Sequence, residues 1–120
     1  MVDIHSGAMY SRAMRGDVLR GHLELLLLAC LQNGAAHGYV IMERLKERSG
    51  GAFDLPEGTI YPLLRRLEQR SLVASRWETV SGRKRRVYKL TPSGRRQVAQ
   101  GKREWQGFVA AVRGVLGSAG

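Results

Sequence analysis

One cysteine, three histidines and few aromatics leave this chain little of what catalysis, metal binding or single-strand stacking needs. A lone Cys30 excludes an intramolecular disulfide framework and fits a reducing compartment. It sits in the apolar run 25–31, where a thiol acts as a small hydrophobe; a redox sensor needs exposure and nearby positive charge. That run is also far shorter than the roughly 18 apolar residues a membrane span requires. The start, Met1 to Met9, lacks the basic lead and apolar core of a signal peptide. The expectation is a cytoplasmic protein with residues 1–16 as a flexible lead-in.

His5, His22 and His37 are scattered, no pair of ligand-type residues has metal spacing, and no nucleophile stands beside a base and an orienting group. His37, beside a helix start, reads as a hydrogen bonder to that helix; Glu24, Glu43 and Glu47 read as solvated helix charges. No Gly-rich phosphate loop is present. Neither an enzyme nor a cofactor is expected. At 7% aromatic content, with no aromatic-strand pattern, an RNA-stacking module is poorly supported.

What the chain does have is positive charge in one place. Residues 62–103 hold 13 Lys and Arg against Glu68 and Glu78, whereas residues 1–61 hold 6 against 7. The whole net charge of +10 therefore lies in one contiguous third, the distribution that counterion release from nucleic acid rewards. Double-stranded DNA is the expected partner.

Hydrophobic periodicity predicts a mostly α chain with a small β-hairpin. A first helix is expected over 18–32, with Asp17 as N-cap and Asn33-Gly34 as stop. Gly21 inside it suggests a close backbone neighbour. A second spans 38–48, with Tyr39, Ile41, Met42 and Leu45 inward and Ser49-Gly50-Gly51 ending it. A third covers 57–68. Its Ile60, Leu63, Leu64 and Leu67 share one side, while Gly58, Pro62, Arg65, Arg66 and Gln69 share the other, flanked by Thr59 and Tyr61. Two short helices joined by a Gly-containing turn, the second one basic, form the helix-turn-helix pattern.

On that outer side, small residues admit a groove floor to the backbone. Arg65 and Arg66 suit guanine edges or phosphates, and Gln69 suits an adenine edge or phosphate. The plain alternative for the arginines is a solvated face, and for Tyr61 a rim-of-core aromatic. Pro62 removes one amide donor and threatens a kink.

Segments 72–78 and 86–90 alternate as a hairpin should, with Trp77 expected opposite Val87 or Tyr88 and a turn at Ser81-Gly82. Arg83, Lys84, Arg85 and Arg86 form a basic tip suited to phosphate or minor-groove contact. Thr91 caps the last helix with Pro92 at its first position. Its stripe of Val98, Trp105, Val109, Val112 and Leu116, flanked by Phe108 and Val115, exceeds what a hairpin-sized core can cover. Packing against the first helix (Leu19, Leu23) of a second copy is expected, a homodimer suited to paired half-sites.

Several of these motifs occur together and in order. They are His37-Gly38-Tyr39, the run 57–68, Leu72-Val73, Trp77-Glu78, the run 82–91, and Gly94. Together they resemble the PadR-like family of bacterial transcriptional regulators over about residues 15–116. The resemblance implies a winged helix-turn-helix over 17–91, with Tyr39 among the DNA-facing residues, and a dimerisation helix over 92–120. It also implies repression by binding promoter DNA. Some members of the shorter class bind planar aromatic compounds between subunits through a tryptophan, and Trp105 matches that position; a tryptophan there also serves simple packing. Ser71 departs from the glycine usual after the third helix, and Arg83 from a common proline. An effector-independent architectural DNA binder is the alternative.

Overall fold

The computed structural model describes residues 16–117, with side chains from Arg20 onward. The element order is α1 (Gly16–Cys30), β1 (Ala36–His37), α2 (Gly38–Arg48), α3 (Glu57–Gln69), β2 (Val73–Val80), β3 (Arg83–Leu90) and α4 (Pro92–Leu116). The three strands form one antiparallel sheet in the order β1-β3-β2. Residues 1–15 of the expected lead-in, and the side chain of Leu19, lie outside the described residues. Among those described, no helix is long and apolar enough to cross a membrane.

The core forms where the apolar stripes of α1, α2 and α3 meet the inner face of the sheet. Leu27, Leu28, Ile41, Ile60, Leu64, Leu67, Val73 and Val98 are its fully buried side chains. Cys30 is buried with them, and burial raises its thiol pKa against the opposing pull of Arg48 and Arg44. Arg44 Nη1 donates to the carbonyl of Cys30 (2.9 Å), an acceptor that the end of α1 would otherwise orphan, and to that of Gly34 (3.1 Å) in the loop beyond. That bond fixes α2 across the end of α1.

Helix ends follow local chemistry. α2 stops in a Schellman turn: Gly50 is left-handed at φ 62°, and the Gly51 amide reaches back to the Lys46 carbonyl. α3 stops the same way, but with Ser71 at φ 61° in the left-handed position and the Leu72 amide on the Leu67 carbonyl. Thr91 closes this corner. Its hydroxyl donates to the Ser71 carbonyl (2.7 Å) and accepts from the Gly94 amide (3.0 Å) at the start of α4. A side chain at Gly94 would overlap the Leu72 carbonyl oxygen, so the α3–β2 corner and α4 meet backbone to backbone.

Several expectations need correction. Asp17 lies inside α1 rather than capping it, and α1 ends at Cys30 before relaxing into successive turns. Gly21 faces open space, with no backbone approaching among the described residues; the close approach falls at Gly101, where Leu25 packs. Glu24 is not solvated but buried, because the C-terminal end of α3 covers it with two arginines. Tyr39 is 53% exposed rather than inward, since Ile41 and Leu45 fill that side of α2.

The hairpin is longer than expected and its register differs. Trp77 stands opposite Arg86, not Val87 or Tyr88. Arg83 to Arg86 belong to strand β3, so the tip is only Ser81-Gly82, both at positive φ as a two-residue hairpin turn requires. Strand β1, too short to carry a periodic signal, adds a third strand through Ala36↔Tyr88 and His37↔Val87.

Candidate nucleic-acid interface

Position on α3 follows from its 3.6-residue period. With Ile60, Leu63, Leu64 and Leu67 buried, Gly58, Tyr61, Pro62, Arg65, Arg66 and Gln69 face solvent, while Thr59 is half-buried. The helix runs unbroken through Pro62. Nothing lies within 4 Å of where a Gly58 side chain would stand, so the fold itself has no steric need for glycine there. Tyr61, 39% exposed, lays its ring against the backbone of Gly38 and so joins α3 to the start of α2.

The wing, β2 and β3, stands beside this face. Alternation places Trp77, Lys84, Arg86 and Tyr88 on its inner side, toward α3, and Arg83 and Arg85 on its outer side. Arg86 is committed internally. Its Nε donates to the Ser75 hydroxyl (2.8 Å), which donates to Glu68 Oε2 (2.6 Å), and its guanidinium lies 5.2 Å from the centre of the Trp77 ring. This chain ties α3 to the wing.

Between them opens a cleft of about 660 Å³, where Tyr61 and Arg65 of α3 meet Lys84 and Arg85 of the wing. Arg65, Arg83, Lys84 and Arg85 make no hydrogen bond or ion pair with the other described residues. Three of them, Arg65, Lys84 and Arg85, line this concave surface and make it attractive to an anion, while Arg83 lies outside it on the wing. Gln69, Tyr39 and Pro62 are exposed but lie outside the cleft.

Three expected site residues have other employment. Arg66 Nε donates to Glu24 Oε2 at 3.0 Å, in an ion pair whose carboxylate it shares with Arg70. Leu23 and Val98 are buried in the chain's own core, at 5% and 0% exposure, which removes them from any surface between copies. His37, expected to hydrogen-bond at a helix start, occupies the N-cap position of α2 but makes no capping bond with its side chain, and its Nδ1 is buried without a partner among the described residues. The cleft-lining role of Trp77 and the anchoring by Glu68 were missed, because both depend on hairpin register and helix–wing docking.

A second surface lies on α4. Beyond its contact with α1, Trp105 (50%), Phe108 (60%), Val115 (86%) and Leu116 (78%) stand exposed, with Val109 and Val112 half-buried between them. Trp105 packs edge-on to His22 and at a tilt to Phe108, each with ring centres 5.8 Å apart. They border a groove of about 670 Å³ between α1 and α4, whose lining also includes Glu24, Arg70 and Glu104.

A helix-turn-helix formed by α2 and α3, followed by a β-hairpin wing and a long terminal helix, defines a winged helix-turn-helix protein. The family model described as "Transcriptional regulator PadR-like family" matches residues 27–100. The chain belongs to this family and is a transcriptional regulator. It is 32% identical over 95 residues to transcriptional regulator Rv3488 of Mycobacterium tuberculosis, covering 79% of this chain and 86% of that one. The crystal structure of a PadR-like transcriptional regulator from Bacillus cereus is similar at TM-score 0.72 and 30% identity, over 85% of this chain and 98% of that one. One from Clostridium difficile is similar at TM-score 0.69 and 31% identity, over 80% and 98%.

Proposed function

We propose that this regulator binds promoter DNA as a homodimer and represses transcription until a small molecule releases it. The observation that carries the DNA reading is the convergence of Arg65 and Tyr61 with Lys84 and Arg85 on one cleft. In this reading residues 17–91 form the DNA-binding unit. The N-terminal half of α3 enters the major groove with Gly58 permitting close approach, Thr59, Pro62, Arg65 and Gln69 lie along the bases, and Arg83 to Arg85 meet flanking phosphates. Such a protein acts in the cytoplasm.

Dimerisation is supported by the α4 stripe. An exposed row of Trp105, Phe108, Val115 and Leu116 on one helix is a surface that water solvates poorly and a second copy covers. Residues 92–120 are then the pairing element. A planar aromatic effector suits the groove beside Trp105, whose side chain is half exposed there.

The test compares binding to the duplex upstream of the gene with binding to random duplex, alongside sedimentation of the free protein. The promoter is expected to bind about 10³-fold or more tightly. Arg65→Ala is expected to cost about 1–3 kcal/mol on the promoter and less on random sequence. Lys84→Ala should weaken every duplex alike and reduce the salt slope by about one. Equal affinity for both duplexes would favour an architectural binder, and monomers at all concentrations would remove the half-site geometry.

A further inference from the structure

Glu24 is the one buried charged residue among the described side chains, and it faces the recognition helix. Its two oxygens hold different arginines: Arg66 Nε at 3.0 Å on Oε2 and Arg70 Nη1 at 2.6 Å on Oε1. The arginine side chains are each about half exposed, so they could turn outward if the carboxylate were absent. Arg66 lies on the solvent-facing side of α3, one position from Arg65, and Arg70 follows one turn later. A buried carboxylate stripped of its partners is strongly disfavoured, which keeps both guanidinium groups in place.

The opposite flank of α3 is held as well. Glu68 binds the Ser75 hydroxyl, which accepts from Arg86 of the wing. The helix is thus pinned by one carboxylate toward α1 and another toward the wing. Of the three arginines around its C-terminal half, only Arg65 has no such tether.

We infer that Glu24 is a positioning residue for DNA recognition: it fixes the docking angle of α3 and withholds Arg66 and Arg70 from the phosphates. Untethered arginines on this face would add attraction to any duplex, since phosphate contacts carry no sequence information. Holding them back lowers the background of non-specific binding and leaves discrimination to Thr59, Pro62, Arg65 and Gln69. The inference rests on the proposed DNA-binding face, and the experiment separates the two.

The full chain is titrated with salt on promoter and random duplexes, as wild type and as Lys84→Gln, Arg66→Gln and Glu24→Gln, with melting curves for each. Lys84→Gln should reduce the slope of log K against log salt by about 0.9, the value for one lost phosphate contact. Arg66→Gln should leave the slope unchanged. Glu24→Gln should steepen it by about 0.9 for each arginine released and lower the promoter-to-random ratio. If Glu24→Gln fails to fold, Arg66→Gln decides alone. A slope reduced by Arg66→Gln as much as by Lys84→Gln overturns the inference, as does a folded Glu24→Gln with wild-type slope and ratio. An unaltered slope in Lys84→Gln overturns the DNA-binding face instead.

Discussion

The ring of Tyr61 lies against the backbone of Gly38, so close that a side-chain carbon at Gly38 would stand 2.5 Å from the tyrosine hydroxyl oxygen. This contact joins the exposed face of α3 to the first residue of α2, and it gives the glycine a packing role with no special backbone angle. Gly38→Ala is expected to push the ring outward. The stability loss should fall at the low end of about 1–3 kcal/mol, because the ring is 39% exposed and has solvent to move into. Urea denaturation checks the stability. Promoter affinity should fall further than stability, because the displaced ring enters the cleft.

Ser71 holds a left-handed backbone at φ 61° in the turn that ends α3. A non-glycine residue there costs roughly 1–2 kcal/mol, partly offset by the greater freedom of glycine in the unfolded chain. Ser71→Gly should therefore raise stability by about 1 kcal/mol, visible as a higher melting temperature. The Thr91 hydroxyl donates to the Ser71 carbonyl, not to its side chain, so this bond survives. A lower melting temperature would mean the serine hydroxyl serves the turn.

Trp105 borders the groove between α1 and α4, whereas Trp77 stands 62% exposed on the wing. Trp105→Ala should abolish most of the fluorescence quenching caused by a flat aromatic cation such as ethidium, and should weaken self-association in sedimentation. Unchanged quenching would place that probe at Trp77.

Alkaline pH should destabilise the chain through two buried acids. Burial raises both the Cys30 thiol and the Tyr88 phenol, the latter against the opposing influence of Arg86. Each group has a higher pKa folded than unfolded. Its contribution is therefore complete below the unfolded value and is lost as pH rises through the folded one. Urea midpoints should hold steady around neutrality and fall in the alkaline range, less steeply in Cys30→Ala. The same burial predicts slow alkylation of the native thiol, with rapid reaction in denaturant.

Much of the architecture was legible because it is local. The 3.6-residue spacing of Ile60, Leu63, Leu64 and Leu67 determined which side of α3 faces out, and Thr91-Pro92 marked the start of α4, whose cap forms as expected. The α2 bounds of 38–48 follow from Gly38 and the Ser49-Gly50-Gly51 stop. The length of the hairpin loop was not legible. Ser81-Gly82 marked a turn, but only a loop of those two residues alone pairs Trp77 with Arg86 rather than Val87 or Tyr88, and a shift of one position exchanges the faces of every side chain. Nor was the fate of single charges. Leu23 and Leu25 to Leu28 surround Glu24 whereas Arg44 and Lys46 follow Glu43, but that two arginines cover the first while the second is solvated depends on how α3 docks against α1.

By itself the order of residues determined the helices, the wing, the family and the concentration of positive charge between residues 62 and 103, since periodicity, capping and composition act over a few neighbours. Tertiary packing alone decided which of those cations remain open to a partner. An ion pair forms only where a carboxylate of a distant segment comes within about 4 Å, and Glu24 reaches Arg66 across 42 positions of the chain.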